Sequence, residues 1–315
     1  SAAKTGNLTL RPHSVVHSII FDEKENRATG VRIVDANTKE TTEYFAKTIF
    51  VNAGTINTNA ILLNSKSKRF PNGLGNDNGL LGKYMAFHNY RAGFSAKIDS
   101  FDDFKPEGKR PTSGYIPRFR NVYRQETDFL RGYAVSFGAG RGKSFNSTGF
   151  GDELHKNLME KPGFGDWGIW VGMMGETIPK ESNTVTLDES KTDDWGIPLF
   201  NISMDYDEND EKMILDFKEQ MTKMLTEAGF KDINFNDSQQ APGLDIHEMG
   251  GVRMGKDPKT SLLNKWNQLH ECKNVFVTDG ACMTSVATQN PSLTFMALTA
   301  RAANYATEGM EKGEI

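Results

Sequence analysis

The chain is poor in cysteine. Only two occur in 315 residues, Cys272 and Cys282, too few for a disulfide framework or a cysteine-built metal site. Long apolar runs are also missing, and none approaches the roughly 18 residues that mark a transmembrane helix. The opening SAAKTGNLTL has no apolar stretch of the secretory type, which leaves the compartment open between cytoplasm and periplasm. Charge of one sign is scarce. The formal net charge is -4, so nothing in it favours nucleic acid or an anionic membrane as a partner. No internal repeat and no low-complexity tract stands out, which excludes solenoids and disordered linkers. What remains is an ordinary globular composition, 37% hydrophobic and 25% charged. The length fits about two domains at roughly 150 residues each.

Periodicity divides the chain into three stretches. Asn7–Leu10, Ser14–Phe21 and Thr29–Val34 read as strands. Thr48–Val51 reads as a short buried strand running into Asn52-Ala53-Gly54 and then a helix over Asn57–Ser65. Strand, Gly turn, helix is an α/β signature. Residues 71–82 read as loop. From about 89 to 235 short runs (Tyr90–Ile98, Tyr133–Phe137, Trp167–Met174, Thr184–Leu187) predict an antiparallel sheet, followed by a helix over Glu208–Ala228 closed by Gly229. The end returns to α/β, with a strand at Val275–Thr278, a turn at Asp279-Gly280 and a helix from Ser292 to Thr307 behind Pro291. The expected fold class is α/β plus α+β. Segments 1–88 and 236–315 form one domain, and 89–235 is a second, inserted domain.

Two glycine-rich stretches imitate phosphate-binding loops. Gly163-Phe-Gly165-Asp-Trp-Gly168 matches GxGxxG, but that motif works only between a strand and a helix, where the helix N-terminus meets a pyrophosphate. Here Glu160-Lys161-Pro162 precedes it and the β-like Ile169–Met174 follows. Gly138–Ser144 lacks the first glycine of GxxxxGK[ST], since Phe137 stands there. Both are read as ordinary glycine loops, which removes support for a nicotinamide-dependent reductase.

Three other sites carry chemistry. His247-Glu-Met-Gly250-Gly251-Val-Arg253-Met254-Gly255 sets a histidine on a loop whose glycines permit close backbone approach. Histidine is the side chain best suited to general-base work near neutral pH. Asp279-Gly280 lies at the C-terminal end of a predicted strand, where α/β sheets bind cofactors. Asn290-Pro291 opens a helix, with Pro291 suited to the first turn. Asn290 there serves equally as an N-cap or as a polar group at the positive helix end.

Taken together, these stretches resemble the C-terminal part of the glucose–methanol–choline (GMC) oxidoreductases. His247–Gly255 with Lys256-Asp257-Pro258 is similar to the family's HxxGTxRMG-DP segment. Asn274–Gly280 is similar to its NLxVxDG strand, and Asn290-Pro291-Ser292-Leu-Thr294 to its NPxxT helix start. Phe50–Ser65 resembles the AGxxxTxxLLLxS signature, and Pro179–Asp188 the stretch ahead of the substrate sheet. Two positions depart from the pattern: Gly251 stands where the family has Thr, and Asn59 where it has Pro.

The resemblance implies FAD as cofactor and oxidation of an alcohol to a carbonyl. It implies His247 as the base and Asn290 as the group that hydrogen-bonds the substrate oxygen. Val15, Val16, Ala53, Gly54, Asp279, Gly280, Asn290, Pro291 and Ser292 would contact the cofactor, and no metal is implied. The bacterial sugar-oxidising members are the most similar, so a sugar or glycoside hydroxyl is the expected substrate, with ring carbon three as one position. Trp167, Trp170, Trp195 and Phe164 could face sugar rings, although core packing explains each singly. A cytochrome or another electron acceptor is an expected partner. The family's leading GxGxxG unit is not in this sequence, so the chain is expected to begin inside the FAD domain. Alone it is expected to hold flavin weakly and to self-associate. The competing reading is a non-catalytic fragment or subunit that only binds a partner.

Overall fold

A computed structural model describes residues 2–104, 113–144, 146–160, 163–244 and 246–315. The first sheet is a three-stranded antiparallel meander of Ser14–Asp22, Arg27–Asp35 and Thr41–Phe45. Asp22 Oδ1 accepts from the amides of Lys24 and Glu25, and this closes the first turn. Ile19, Ala28 and Ile33 are buried on its inner face. The chain then makes a short strand, Ile49–Phe50, and enters helix α1, Thr55–Asn64. Val275–Phe276 pairs with Ile49–Phe50 in parallel. The parallel pairing that goes with the expected α/β signature is therefore present, in strands of two residues each.

A four-stranded sheet has the order Pro198–Ser203, Thr184–Thr192, Lys83–Ala86, Met249–Gly251. A six-stranded sheet runs Lys231–Asp237, Ala92–Ile98, Gly163–Glu176, Tyr133–Ser144, Gly114–Ile116, with His88–Asn89 beside Gly163–Glu176. Every pairing in it is antiparallel. Both phosphate-loop look-alikes lie inside this sheet. Gly163–Gly168 belongs to one strand of 14 residues, and Gly138–Ser144 ends the strand beside it. Lys161-Pro162 and the side chains of Lys143 and Ser144 lie outside the described residues.

Three further α-helices occur among the described residues: α2 at Asp152–Met159, α3 at Glu208–Glu227 and α4 at Ser292–Lys312. In α3 the apolar residues Met213, Ile214, Phe217, Met221 and Leu225 recur at helical spacing. They are buried in one cluster with Phe94, Tyr133 and Val171 of the six-stranded sheet. Its start is fixed by a capping box, in which Asp207 accepts from the Asn209 and Asp210 amides and Asp210 accepts from the Asp207 amide. The α4 helix ends on Gly313 in the left-handed conformation.

Two expectations are corrected. Asn7–Leu10 is not a strand, and Leu8 and Leu10 are exposed, so nothing packs against its apolar side chains. The α4 helix continues past Thr307 to Lys312. The α2 helix has no counterpart among the expected elements. It buries no residue and so carries no core-facing apolar stripe.

One apolar core draws on Ile19 to Leu81 and on Val252 to Cys282, and a second on Ala92 to Leu225. On these two cores we propose the two-domain division with pieces 1–88, 89–235 and 236–315. The four-stranded sheet takes strands from all three pieces and joins them. Among the described residues no helix is long and apolar enough to cross a membrane.

Candidate active site

Met249–Gly251 is fully buried and pairs with Lys83–Ala86. Gly250 and Gly251 both have positive φ, 96° and 86°. A Cβ on Gly250 would fall 2.3 Å from the Tyr84 carbonyl oxygen, and one on Gly251 2.1 Å from Asn59 Oδ1. Only glycine lets the chain press this closely on the strand and on α1. Asn59 is fully buried and donates to the carbonyls of Thr55 and Gly250, at 2.9 and 3.0 Å. The two departures from the family pattern, Asn59 and Gly251, are thus one contact.

This tight seam presents His247, two residues ahead of it. The backbone there has φ 71° and the side chain is half-buried. Its ring meets the buried His88 ring edge-on, with centroids 4.9 Å apart and planes at 88°. The two Nδ1 atoms are 2.9 Å apart. His88 Nε2 lies 3.1 Å from the Ala287 carbonyl oxygen. Tyr90 stands near both rings, 5.6 Å from His88 and 6.4 Å from His247 by centroid. Burial first, and then the neighbouring His247, push the His88 imidazole down to about 4. Burial also holds His247 below the ordinary imidazole value. Both rings are therefore neutral at pH 7, as a general base must be before it acts.

The segment leading to α4 is held by the sheet residues around it. Val286 and Thr288 are buried. Tyr115 donates its phenolic hydrogen to the Thr288 carbonyl at 2.9 Å, and Ser285 donates to Glu176. Glu176, only 3% exposed, has Arg118 and Arg131 within 3.6 and 3.7 Å. Ala287 is pulled to φ 59°, an uncommon conformation for a residue with a Cβ. The segment ends at Asn290 and Ser292, both exposed, with Pro291 buried between them. No side chain caps the start of α4, and its first turn has no acidic residue. Its free N–H groups are open to an anion or an electron-rich ring.

The residues expected at the cofactor fall into two groups. Val15, Val16 and Ala53 line a cavity of about 390 Å³, together with Asn57, Trp195 and Phe200. The α1 helix also starts without a side-chain cap. A ready cavity and two uncapped helix starts fit a bound dinucleotide such as FAD. Asp279 and Gly280 are engaged within the protein. Asp279 Oδ2 accepts from Gly54 N at 3.0 Å and Thr58 Oγ1 at 2.6 Å, and Oδ1 accepts from Ala281 N at 3.0 Å. Burial raises its carboxyl against these hydrogen bonds. A Cβ at Gly280 would meet Thr55 Oγ1 at 2.2 Å. These two residues hold the start of α1 beside the Ala53-Gly54 turn.

The candidate sugar platforms are dispersed. Trp195 lines the cavity of Val15 and Val16. Trp167 lines a separate apolar cavity with Phe101 and Phe104. Phe164 lies under the Arg141 guanidinium at 5.6 Å, and Trp170 is 51% exposed.

The site thus combines a histidine on a glycine seam, an open helix start and a cavity of about 390 Å³, and comparison with known proteins gives the family. Family models described as GMC oxidoreductase match residues 1–89 and 179–299. The chain belongs to this family, whose members are FAD-dependent oxidoreductases acting on CH–OH donors. It is 32% identical over 305 residues to the 2-methyl-1,2-propanediol dehydrogenase of Mycolicibacterium austroafricanum, covering 94% of this chain and 54% of that protein. It is 26% identical to the fructose dehydrogenase large subunit of Gluconobacter japonicus, covering 96% of this chain and 54% of that protein. A solved formate oxidase of Aspergillus oryzae, described by modification of its FAD, shares the fold with TM-score 0.65. The sequence identity is 14%, over 98% of this chain and 62% of that one. The chain spans about half the length of the curated relatives it matches.

Sequence reasoning misses His88. It sits in MAFHNY with no motif around it, and its partners lie 159 and 199 residues away.

Proposed function

We propose that the protein takes part in the FAD-dependent oxidation of an alcohol to a carbonyl, with a sugar or glycoside hydroxyl as substrate and His247 as the base. When bound, FAD supplies the acceptor for the hydride that leaves the carbinol carbon. His247 receives the hydroxyl proton in the same reaction. Its neutral ring, half-buried on a glycine-stiffened seam, is the observation that carries this reading. Asn290 is neutral and cannot compete for the proton, so its part is to hold the substrate oxygen. The uncapped start of α4 offers N–H groups to the negative charge that accompanies reduction. The cavity of Val15, Val16 and Ala53 takes the cofactor's adenine side. Asp279 and Gly280 serve that end by fixing the start of α1, Asp279 through its carboxylate and Gly280 through its close backbone approach, rather than by touching the cofactor.

The fructose dehydrogenase relative supports the sugar class, and its designation as a large subunit supports an electron-accepting partner such as a cytochrome. In the full-length, flavin-loaded protein, His247→Ala should lower turnover about 10²–10⁴-fold, the usual worth of a general base. Flavin content, read from its visible absorbance, should stay unchanged. Asn290→Ala should also slow substrate-driven bleaching of the flavin. Full turnover in His247→Ala would remove the base assignment.

A further inference from the structure

We infer that His88 is a positioning residue that fixes which nitrogen of His247 carries the proton and ties that base to the segment ending at Asn290. The inference rests on the reading of His247 as base, but the hydrogen-bond logic stands apart from it. A carbonyl oxygen only accepts, so the contact to Ala287 puts a hydrogen on His88 Nε2. A neutral imidazole has one N–H, so His88 Nδ1 is bare and accepts. The 2.9 Å contact between the two Nδ1 atoms then needs its hydrogen on His247. His247 Nε2 is left as an unprotonated lone pair, the form that can take a proton from a hydroxyl.

The surroundings keep His88 in this state. The ring is buried, and a second proton on Nδ1 would face the Nδ1 of His247. The titratable groups at the ring are His247 and Tyr90. Glu176, paired with His88 across the strands, turns its carboxylate to Ser285, Arg118 and Arg131. The Ala287 carbonyl that orders the chain of hydrogen bonds lies three residues before Asn290. One side chain thereby sets the base's protonation and anchors the arm that bears its partner.

The two ring nitrogens of His88 can be tested separately. Asparagine places a carbonyl oxygen near the position of Nδ1, and glutamine places an amide nitrogen near that of Nε2. Imidazole ¹⁵N NMR of the full-length, flavin-loaded protein should show His247 with Nδ1 protonated and Nε2 bare. His88→Asn should keep this signature while losing the Ala287 contact. His88→Gln should keep the Ala287 contact but lose the His247 signature. It should lower kcat at least about tenfold with KM little changed, and shift the acid limb of the kcat/KM profile. His247 with Nε2 protonated in the unsubstituted protein would overturn the inference, whatever the variants do. So would a His88→Gln protein with unchanged kcat, pH profile and NMR signature. Neither result depends on the base assignment, which the His247→Ala experiment decides separately.

Discussion

The contact between Asn59 and Gly251 can be broken and repaired. In Gly251→Ala the new Cβ would lie 2.1 Å from Asn59 Oδ1 and 2.5 Å from Cγ and Nδ2. Overpacking of this kind costs about 1–3 kcal/mol, and a left-handed backbone with a Cβ adds about 1–2 kcal/mol. The expected loss is therefore about 2–5 kcal/mol. Asn59→Ala removes the hydrogen bonds to the Thr55 and Gly250 carbonyls, worth about 0.5–1.5 kcal/mol each. It also removes an amide oxygen that is buried without a partner. In the double variant the overlap is gone, and only the backbone strain of an alanine at position 251 remains. The double should then be more stable than the sum of the singles by about 1–3 kcal/mol, within the range of coupled neighbours. Urea titration followed by tryptophan fluorescence measures all four corners of the cycle. Gly250→Ala is the control. Its Cβ would meet the Tyr84 carbonyl, a backbone atom, so Asn59→Ala should not rescue it. Additivity of Gly251→Ala and Asn59→Ala within about 0.5 kcal/mol would refute the claim that the two departures compensate each other.

The pH dependence of stability follows from His88. Its folded value of about 4 lies below the 6.5 of a free imidazole, so the folded state favours the neutral ring. That stability is present above pH 6.5 and is lost as pH falls through 4. The 2.5-unit gap corresponds to about 3 kcal/mol. Burial lifts the Asp210 carboxyl to about 7, which acts in the opposite sense over the same window, so the test is a difference. His88→Asn should lose less stability than the unsubstituted protein between pH 6.5 and 4, and an equal slope in that variant would contradict the assignment. Asp279→Ala leaves Gly54 N and Thr58 Oγ1 without their acceptor, at a cost of about 2 kcal/mol or more. It should also raise the rate at which flavin dissociates, because the turn at Ala53-Gly54 loosens. Unchanged stability and flavin retention would show that α1 is held by other contacts.

The legible part of the protein is the part with short-range chemical punctuation. The glycines beside His247, the Asp-Gly turn and the Asn-Pro helix start each carry local signals, so the site's main loops can be read from the residues alone. The phosphate-loop look-alike at Gly163 fails on its flanking residues, and it lies inside a strand. Exposed elements are harder. Asn7–Leu10 alternates like a strand without packing on anything. The α2 helix buries no residue and shows no core-facing stripe. His88 is invisible in the sequence because its meaning depends on two partners in other parts of the chain. The compensation between Asn59 and Gly251 likewise shows in the sequence only as two unrelated departures, which the packing of α1 on the glycine seam joins.

The parallel pairing of Val275–Phe276 with Ile49–Phe50 sets an order on folding during synthesis. Asn274, beside that strand, bonds the Ala28 backbone and the Lys47 carbonyl, which precede it by 246 and 227 residues. At roughly 5–20 residues per second, a ribosome adds that intervening stretch in about 10–50 s. For that time the early meander and α1 lack the strand that completes their core. The intervening sheet with α3 has its apolar partners nearer at hand and can close first. The early segment is therefore the one that waits, and chaperones that bind nascent apolar surface have tens of seconds in which to occupy it.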